Sequence, residues 1–294
     1  MQTPIRIWAQ SAGDLTVHAR YRDTIAEHGA RVCGDVDIAV HGFRPGTYPA
    51  GVTAAQLCCD WRYTHELASL QIVENAIRAE QEGYDLFLVT SFMDHGVSLA
   101  RTVVDIPVIG LAEPSLFVGM TIAGSMGLIS PQEGQARVVR RLVRQYGVAD
   151  RVSKVAVLDP PITPDLLDGE IGSSALGEAF CESAARTFGP DVDLIVPCEG
   201  LLCSALYHSG VRDVAGTPVL DVFGAAFAFG AMLARLRAVS TVQTSRGGFH
   251  AKPTKQAVDH LRDVTRAVLD EAASVYSGAG VDGVAGTSSR NTGR

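Results

Sequence analysis

The chain has 294 residues, 47% of them hydrophobic and 19% charged, which supplies apolar material for a packed core of two lobes and excludes wholesale disorder. A net charge of -7 and a pI near 5.6 exclude an electrostatic grip on nucleic acid or on an anionic membrane, since both need clustered positive charge. A small molecule is the expected partner, with a homo-oligomer left open because dimers are the commonest symmetric state.

Residues 1–8 (MQTPIRIW) run straight into an apolar strand, with neither a charged n-region nor a long apolar h-region, so a cytoplasmic location is expected. Short β-branched runs predict strands at 5–9, 36–40, 85–89, 108–111, 127–130, 155–158, 194–197 and 219–221. Apolar spacing predicts helices over 65–82, 133–146, 173–188 and 224–237. This alternation is that of βαβ units feeding a parallel sheet, hence an α/β, doubly wound architecture. Gly147 and Gly189 are read as left-handed residues ending two helices, and Pro253 as the opener of the last one. The apolar stretch 219–236 carries Asp221 and Arg235 and reads as a buried core helix rather than a membrane span. The tail 277–294 is rich in Gly, Ser and Thr without periodicity and is expected to be disordered.

Two strand ends stand out, because ligands of open α/β sheets bind outside the carboxyl ends of strands. One is 87–96 (FLVTSFMDHG) and the other 194–203 (LIVPCEGLLC). Each joins an apolar strand to a small nucleophilic residue and a Gly-containing turn, with Ser91 and Cys198 in corresponding places. That internal likeness predicts two lobes of similar build facing each other across a cleft that holds the active site.

In shared order and spacing, Gly83-Tyr84-Asp85, Ser91-Phe92-Met93-Asp94, the run 104–113 (VDIPVIGLAE), the run 142–147 (LVRQYG), Pro197-Cys198-Glu199-Gly200, the run 217–221 (TPVLD) and Thr244-Ser245-Arg246 with Pro253 resemble the aspartate/glutamate/hydantoin racemase superfamily, most of all its hydantoin racemase branch. The resemblance implies two Rossmann-like lobes with mostly parallel sheets, lobe 1 from 1–114 and 217–276 and lobe 2 from 115–216, and no metal or organic cofactor. Members that racemise a carbon acid place two cysteines on opposite faces of the substrate. Cys198 matches the second. The first falls on Ser91, and His95 stands where the pattern has proline. A hydroxyl is a far weaker acid than a thiol of pKa about 8.5, so Ser91 does not inherit the role unaided.

Cys198, at a strand end before a helix, is the first choice for acid/base catalyst, since a helix N-terminus favours thiolate; the bland alternative is a buried structural thiol. Glu199 beside it either binds an amide N–H or raises the thiol pKa. Ser91 and Thr90 form an oxyanion pocket, or Ser91 caps the next helix. Phe92 and Gly200, in the same two turns, join the expected substrate-binding set. The neighbours Asp94 and His95 invite a triad reading, which their closeness in sequence argues against. Ser11, Ser130 and Arg246 resemble family positions that hold a substrate carboxylate or amide, with ordinary turn chemistry the alternative for the serines. Glu113 is read as opening a helix, Cys203 as a core thiol, and Cys58-Cys59 as outside the site, because a vicinal disulfide or metal site is out of place in a reducing compartment. The expected function is a cofactor-independent isomerase that moves a proton at a carbon α to the carbonyl of a small amide or carboxylate. Cys198 acts as acid/base, with His95 or a water as a second base. Alternatives are a lyase resembling arylmalonate decarboxylases, with Cys198 protonating one face, and a binding protein that keeps the cleft without turnover.

Overall fold

The structure is a computed structural model that describes residues 4–16, 18–161 and 174–278. The chain divides into two compact units, Met1–Ala251 and Lys252–Arg294. In the first unit, β1 (Ile5–Gln10), β2 (Val36–His41), β3 (Leu86–Val89) and β4 (Val108–Ile109) form a parallel sheet of order β2-β1-β3-β4. β5 (Met126–Ser130), β6 (Val152–Val157) and β7 (Leu194–Pro197) form a second parallel sheet of order β6-β5-β7. The α/β class with two parallel sheets is therefore as the sequence predicts.

Alternation along the strands sorts side chains onto two faces. Ile7, Ala9, Leu86 and Leu88 of the first sheet share one apolar cluster with Met126, Leu128, Leu194 and Val196 of the second, so a continuous core joins the sheets. The opposite face of the first sheet, with Trp8, Phe87 and Val89, packs on Ala68, Ile72, Ala76 and Ala79 of the helix Arg62–Gln81. Ile129 and Ile195 turn the other way, toward Leu176 and Phe180 of the helix Ser174–Thr187. The helix Val222–Val239 is long and apolar enough to cross a membrane, but it buries Phe223 and Phe227 in the central cluster and packs on the first sheet and on the helix Ala19–Cys33. Each such aromatic contributes about 1.5–3 kcal/mol.

Several expectations need correction. Residues 219–221 form no strand: Val219 makes one isolated bridge to Ile195, and the local pair is β8 (Asp213–Val214) antiparallel to β9 (Thr217–Pro218). Gly147 has the left-handed φ of 69°, whereas Gly189 is not among the residues of positive φ. Pro253 stands two residues before the last helix, Lys255–Gly278, and Thr254 caps it by accepting the Ala257 N–H at 3.2 Å. Of the tail 277–294, residues 277 and 278 belong to the last helix and residues 279–294 lie outside the described residues. The helix Ala19–Cys33 was not predicted, and the helix Ala112–Ile122 was anticipated only through Glu113 as its opener.

The loop after β3 is held by Asp94, which adopts a left-handed φ of 48°, a conformation Asp tolerates. Its buried carboxylate accepts the N–H groups of Ala112 at 3.0 Å and Glu113 at 3.2 Å, capping a helix that has no side-chain cap of its own, and the Tyr146 hydroxyl at 2.6 Å. Burial pushes its pKa up to about 6 against these stabilising bonds. Gly110 makes the space: a Cβ there would lie 1.8 Å from Asp94 Oδ1. Asp94→Ala, which leaves three buried donors unpaired, should cost about 3–5 kcal/mol in denaturant unfolding, and Gly110→Ala at least about 2 kcal/mol. Because both act through one carboxylate, the double variant should fall short of the sum by about 1 kcal/mol or more; additive losses would break the assignment.

Candidate functional site

A cavity of about 600 Å³ opens where both sheets present the carboxyl ends of their strands. Ser11 follows β1, Thr90, Ser91, Phe92 and His95 follow β3, Gln132 and Gln135 follow β5, and Glu199 and Gly200 follow β7; all of these line it. A further wall comes from residues 51–55 with Cys58 and Cys59. The turn after β7 approaches the elements of the first sheet closely: a Cβ on Gly200 would sit 2.4 Å from the Tyr21 hydroxyl and 3.0 Å from the Thr90 carbonyl.

The predicted residues take specific parts. Ser11 Oγ accepts the Gly13 N–H at 2.9 Å, ordinary turn chemistry on the cavity wall. The Thr90 carbonyl accepts the Tyr21 hydroxyl at 2.9 Å. Ser91 Oγ accepts the Met93 N–H at 3.3 Å, so Ser91 caps its own turn rather than the helix Val97–Ala100, whose N-cap is Gly96. That leaves its O–H as a donor directed by the cavity's occupant. Glu199 accepts the Leu202 N–H at 2.6 Å and caps the helix Gly200–Ser209. Asp94 faces Tyr146 and the helix start rather than His95, so no triad forms. Glu113 opens the helix Ala112–Ile122 and pairs with Arg101.

Three predicted residues do not line the cavity. Cys198 is 0% exposed and its sulfur donates to the Val196 carbonyl at 3.2 Å. It shares the inward parity of Leu194 and Val196, all three lying in the central apolar cluster. Burial raises its pKa well above the thiol range, opposing the thiolate that a helix N-terminus was expected to favour. Ser130 is buried with its hydroxyl unpartnered. Arg246 spends its guanidinium on the carbonyls of Arg101, Val104 and His250 and on Asp105, which clamps its loop and leaves no fork for a substrate anion. Cys203 is a core thiol, as read.

Burial holds several ionisable groups of the wall neutral, while hydrogen bonds from Thr16 hold the Asp14 carboxyl below its ordinary value. Burial, with help from His65 and Arg141, drives His95 down to about 3. Burial also pushes Cys58 up to about 11 and raises Tyr21 and Tyr48 above the ordinary phenol range. Among the described residues no Lys or Arg lines the cavity, and no group of three or more His, Cys, Asp or Glu side chains is placed to hold a metal. Sequence reasoning missed Tyr21, Tyr48, Gln135 and the Cys58-Cys59 pair as wall residues; only the adjacent cysteines left a visible signal.

A profile of the Asp/Glu/hydantoin racemase family matches residues 47–196. A hydantoin racemase from Pseudomonas sp. (strain NS671) is 26% identical over 207 residues, 69% of this chain and 77% of the relative. One from Paenarthrobacter aurescens is 26% identical over 195 residues, 66% of this chain and 79% of the relative. The solved allantoin racemase from Klebsiella pneumoniae superposes with a TM-score of 0.68 at 22% identity, covering 85% of this chain and 94% of its own, a likeness of fold.

His95 and Asp94 pull stability in opposite directions with pH. The folded pKa of His95 is depressed to about 3, so its contribution is full above the unfolded value near 6.5 and is lost as pH falls. That of Asp94 is raised to about 6, so its contribution is present at low pH and is lost as pH rises through 6. Between pH 7 and pH 5, His95 should cost about 2 kcal/mol while Asp94 returns about 1.4 kcal/mol. Urea unfolding of His95→Asn should therefore show stability moving by about 2 kcal/mol in the favourable direction relative to wild type over that interval; parallel curves would disprove the buried neutral imidazole.

Proposed function

Because the chain belongs to the Asp/Glu/hydantoin racemase family, we propose that it is an isomerase that inverts a carbon bearing an acidic hydrogen next to a carbonyl, working without a cofactor on a small neutral cyclic amide or ureide of the hydantoin kind. The hydantoin racemases among its relatives support the reaction class. The observation that carries the substrate class is the cavity wall, which offers neutral hydrogen-bonding groups together with Asp14 and Glu199 but, among the described residues, no Lys or Arg. A carboxylate brought into this space loses its water without gaining a counter-ion, which costs several kcal/mol, whereas an amide loses far less.

Gln135 adds a direct argument. Its Oε1 is buried in the cavity wall without a hydrogen-bond partner, a state that an N–H on the substrate relieves. Removing the α-hydrogen as a proton sends the C–H electron pair into the adjacent carbonyl and builds an oxyanion. The free Ser91 O–H is a donor for that charge, and one such donor contributes about 10²- to 10³-fold in rate.

In deuterated water, one enantiomer of 5-benzylhydantoin should lose optical activity while taking up deuterium at C5. Release of carbon dioxide from a substituted malonate, with no exchange of the hydantoin, would replace this reading with a lyase; binding without either would leave a non-catalytic cleft. Gln135→Leu should raise KM about 3- to 10-fold with kcat little changed, the worth of one neutral hydrogen bond. Its melting temperature should hold or rise, because an unpaired buried acceptor has been removed.

A further inference from the structure

The chain has six free cysteines, and among the residues described only Cys58 and Cys59 line the cavity. They sit on the π turn Gln56–Asp60, in which the Trp61 N–H reaches back to the Gln56 carbonyl at 3.0 Å, five residues away. That wide turn lets two consecutive side chains face the same space, and such turns recur at functional sites. The turn is pinned on both sides. The Thr64 hydroxyl donates to the Leu57 carbonyl at 2.7 Å, and His65 Nδ1 lies 2.6 Å from the Cys58 carbonyl. Asp60 pairs with Arg137 of the helix Glu133–Gln145 at 2.6 Å.

The two thiols differ in freedom. Tyr48 donates its one hydroxyl proton to the Ala12 carbonyl, so the 3.7 Å contact between Tyr48 and Cys58 is the Cys58 thiol donating to the phenol oxygen. Cys58 is thereby held. No hydrogen bond occupies the Cys59 sulfur among the described residues. It is more exposed than Cys58 and close enough to Glu199 of the β7 turn for that carboxylate to raise its pKa.

Resting on the isomerase reading above, we propose that Cys59 is the acid/base thiol of this cavity, delivered by the π turn rather than by either strand end, with Cys58 and Tyr48 as positioning residues. In its step the Cys59 thiolate takes the α-hydrogen as a proton. The S–H bond forms as the C–H bond breaks, and the electron pair passes into the enolate. A solvent water on the opposite face, beside Ser91, gives the enolate a proton and rebuilds the C–H bond there, and the hydroxide that it leaves takes the proton of the Cys59 thiol, which restores the thiolate. Burial, Cys58, Asp60 and Glu199 all raise the Cys59 pKa and only Arg137 opposes them. The thiol is therefore the resting form, and turnover gains from alkaline pH beyond the ordinary thiol range.

The test uses the full chain and C5 deuterium exchange of 5-benzylhydantoin in Cys59→Ala, Cys59→Ser and Cys198→Ala. Both Cys59 variants should lose kcat by about 10³-fold or more with KM within a fewfold and far-ultraviolet circular dichroism unchanged, while Cys198→Ala should keep kcat within tenfold. In wild type, 5-benzylhydantoin should protect Cys59 from iodoacetamide, read by peptide mass spectrometry. Exchange that survives in Cys59→Ser but vanishes in Cys198→Ala overturns the Cys59 assignment and leaves the isomerase standing. Wild-type protein that exchanges no α-hydrogen overturns both.

Discussion

One buried carboxylate sets the geometry on which the cavity depends. Asp94 ends the loop that carries Ser91, and its oxygens reach the start of the helix Ala112–Ile122 and the Tyr146 hydroxyl at the end of the helix Glu133–Gln145. A loop after the first sheet, the helix that leads toward the second sheet and a side chain from beyond β5 are thus fastened at one point. Three donors on a single acceptor make a directional joint, whereas the apolar cluster that runs beneath both sheets resists separation but says little about angle. The carboxylate is not comfortable there, as its raised pKa attests. Its desolvation is the cost of fixing where the Ser91 turn points.

The same exclusion of water governs the chemistry. Burial moves five wall groups toward their neutral forms: His95 falls, while Cys58, Cys59, Tyr21 and Tyr48 rise. Burial is the largest cause in each, so this is a property of the chamber and not of individual pairings. A wall with carboxylates but, among the described residues, no Lys or Arg admits a neutral amide more cheaply than an anion, and its buried parts make any charge formed during reaction strongly responsive to the few dipoles present. The Ser91 hydroxyl and the Gln135 carbonyl matter for that reason, although either would be worth little in water.

Much of the fold was legible because parallel strands buried on both faces read as short continuous apolar runs, and seven of the eight predicted strands have a counterpart in the sheets. The exception, 219–221, has the right composition but meets only Ile195, at the margin of the second sheet. Helices were legible when their stripe was apolar. The helix Ala19–Cys33 turns Thr24, His28 and Gly29 inward beside Tyr21 and Ile25, so its buried face does not stand out as apolar. The helix Ala112–Ile122 has the opposite defect, being apolar on nearly every side with Pro114 in its first turn, and it offers no periodicity to read.

The site was legible to the level of the turn and not of the side chain. Both chosen strand ends do border the cavity, because strand polarity and the right-handed crossover rule decide which end of a sheet collects its loops. The direction of Cys198 is a matter of parity. Counting back by twos from 198 gives Val196 and Leu194, inward-facing residues of the core, and the sulfur follows them into the central cluster. Residue 199, one step on, falls on the wall. Had the strand ended one residue earlier or later, the thiol and the carboxylate would have exchanged surroundings. The Cys58-Cys59 pair was hidden for a complementary reason: an α-helical count separates consecutive side chains by about 100°, and only the five-residue hydrogen bond of a π turn, invisible to any apolar period, lets both face one space.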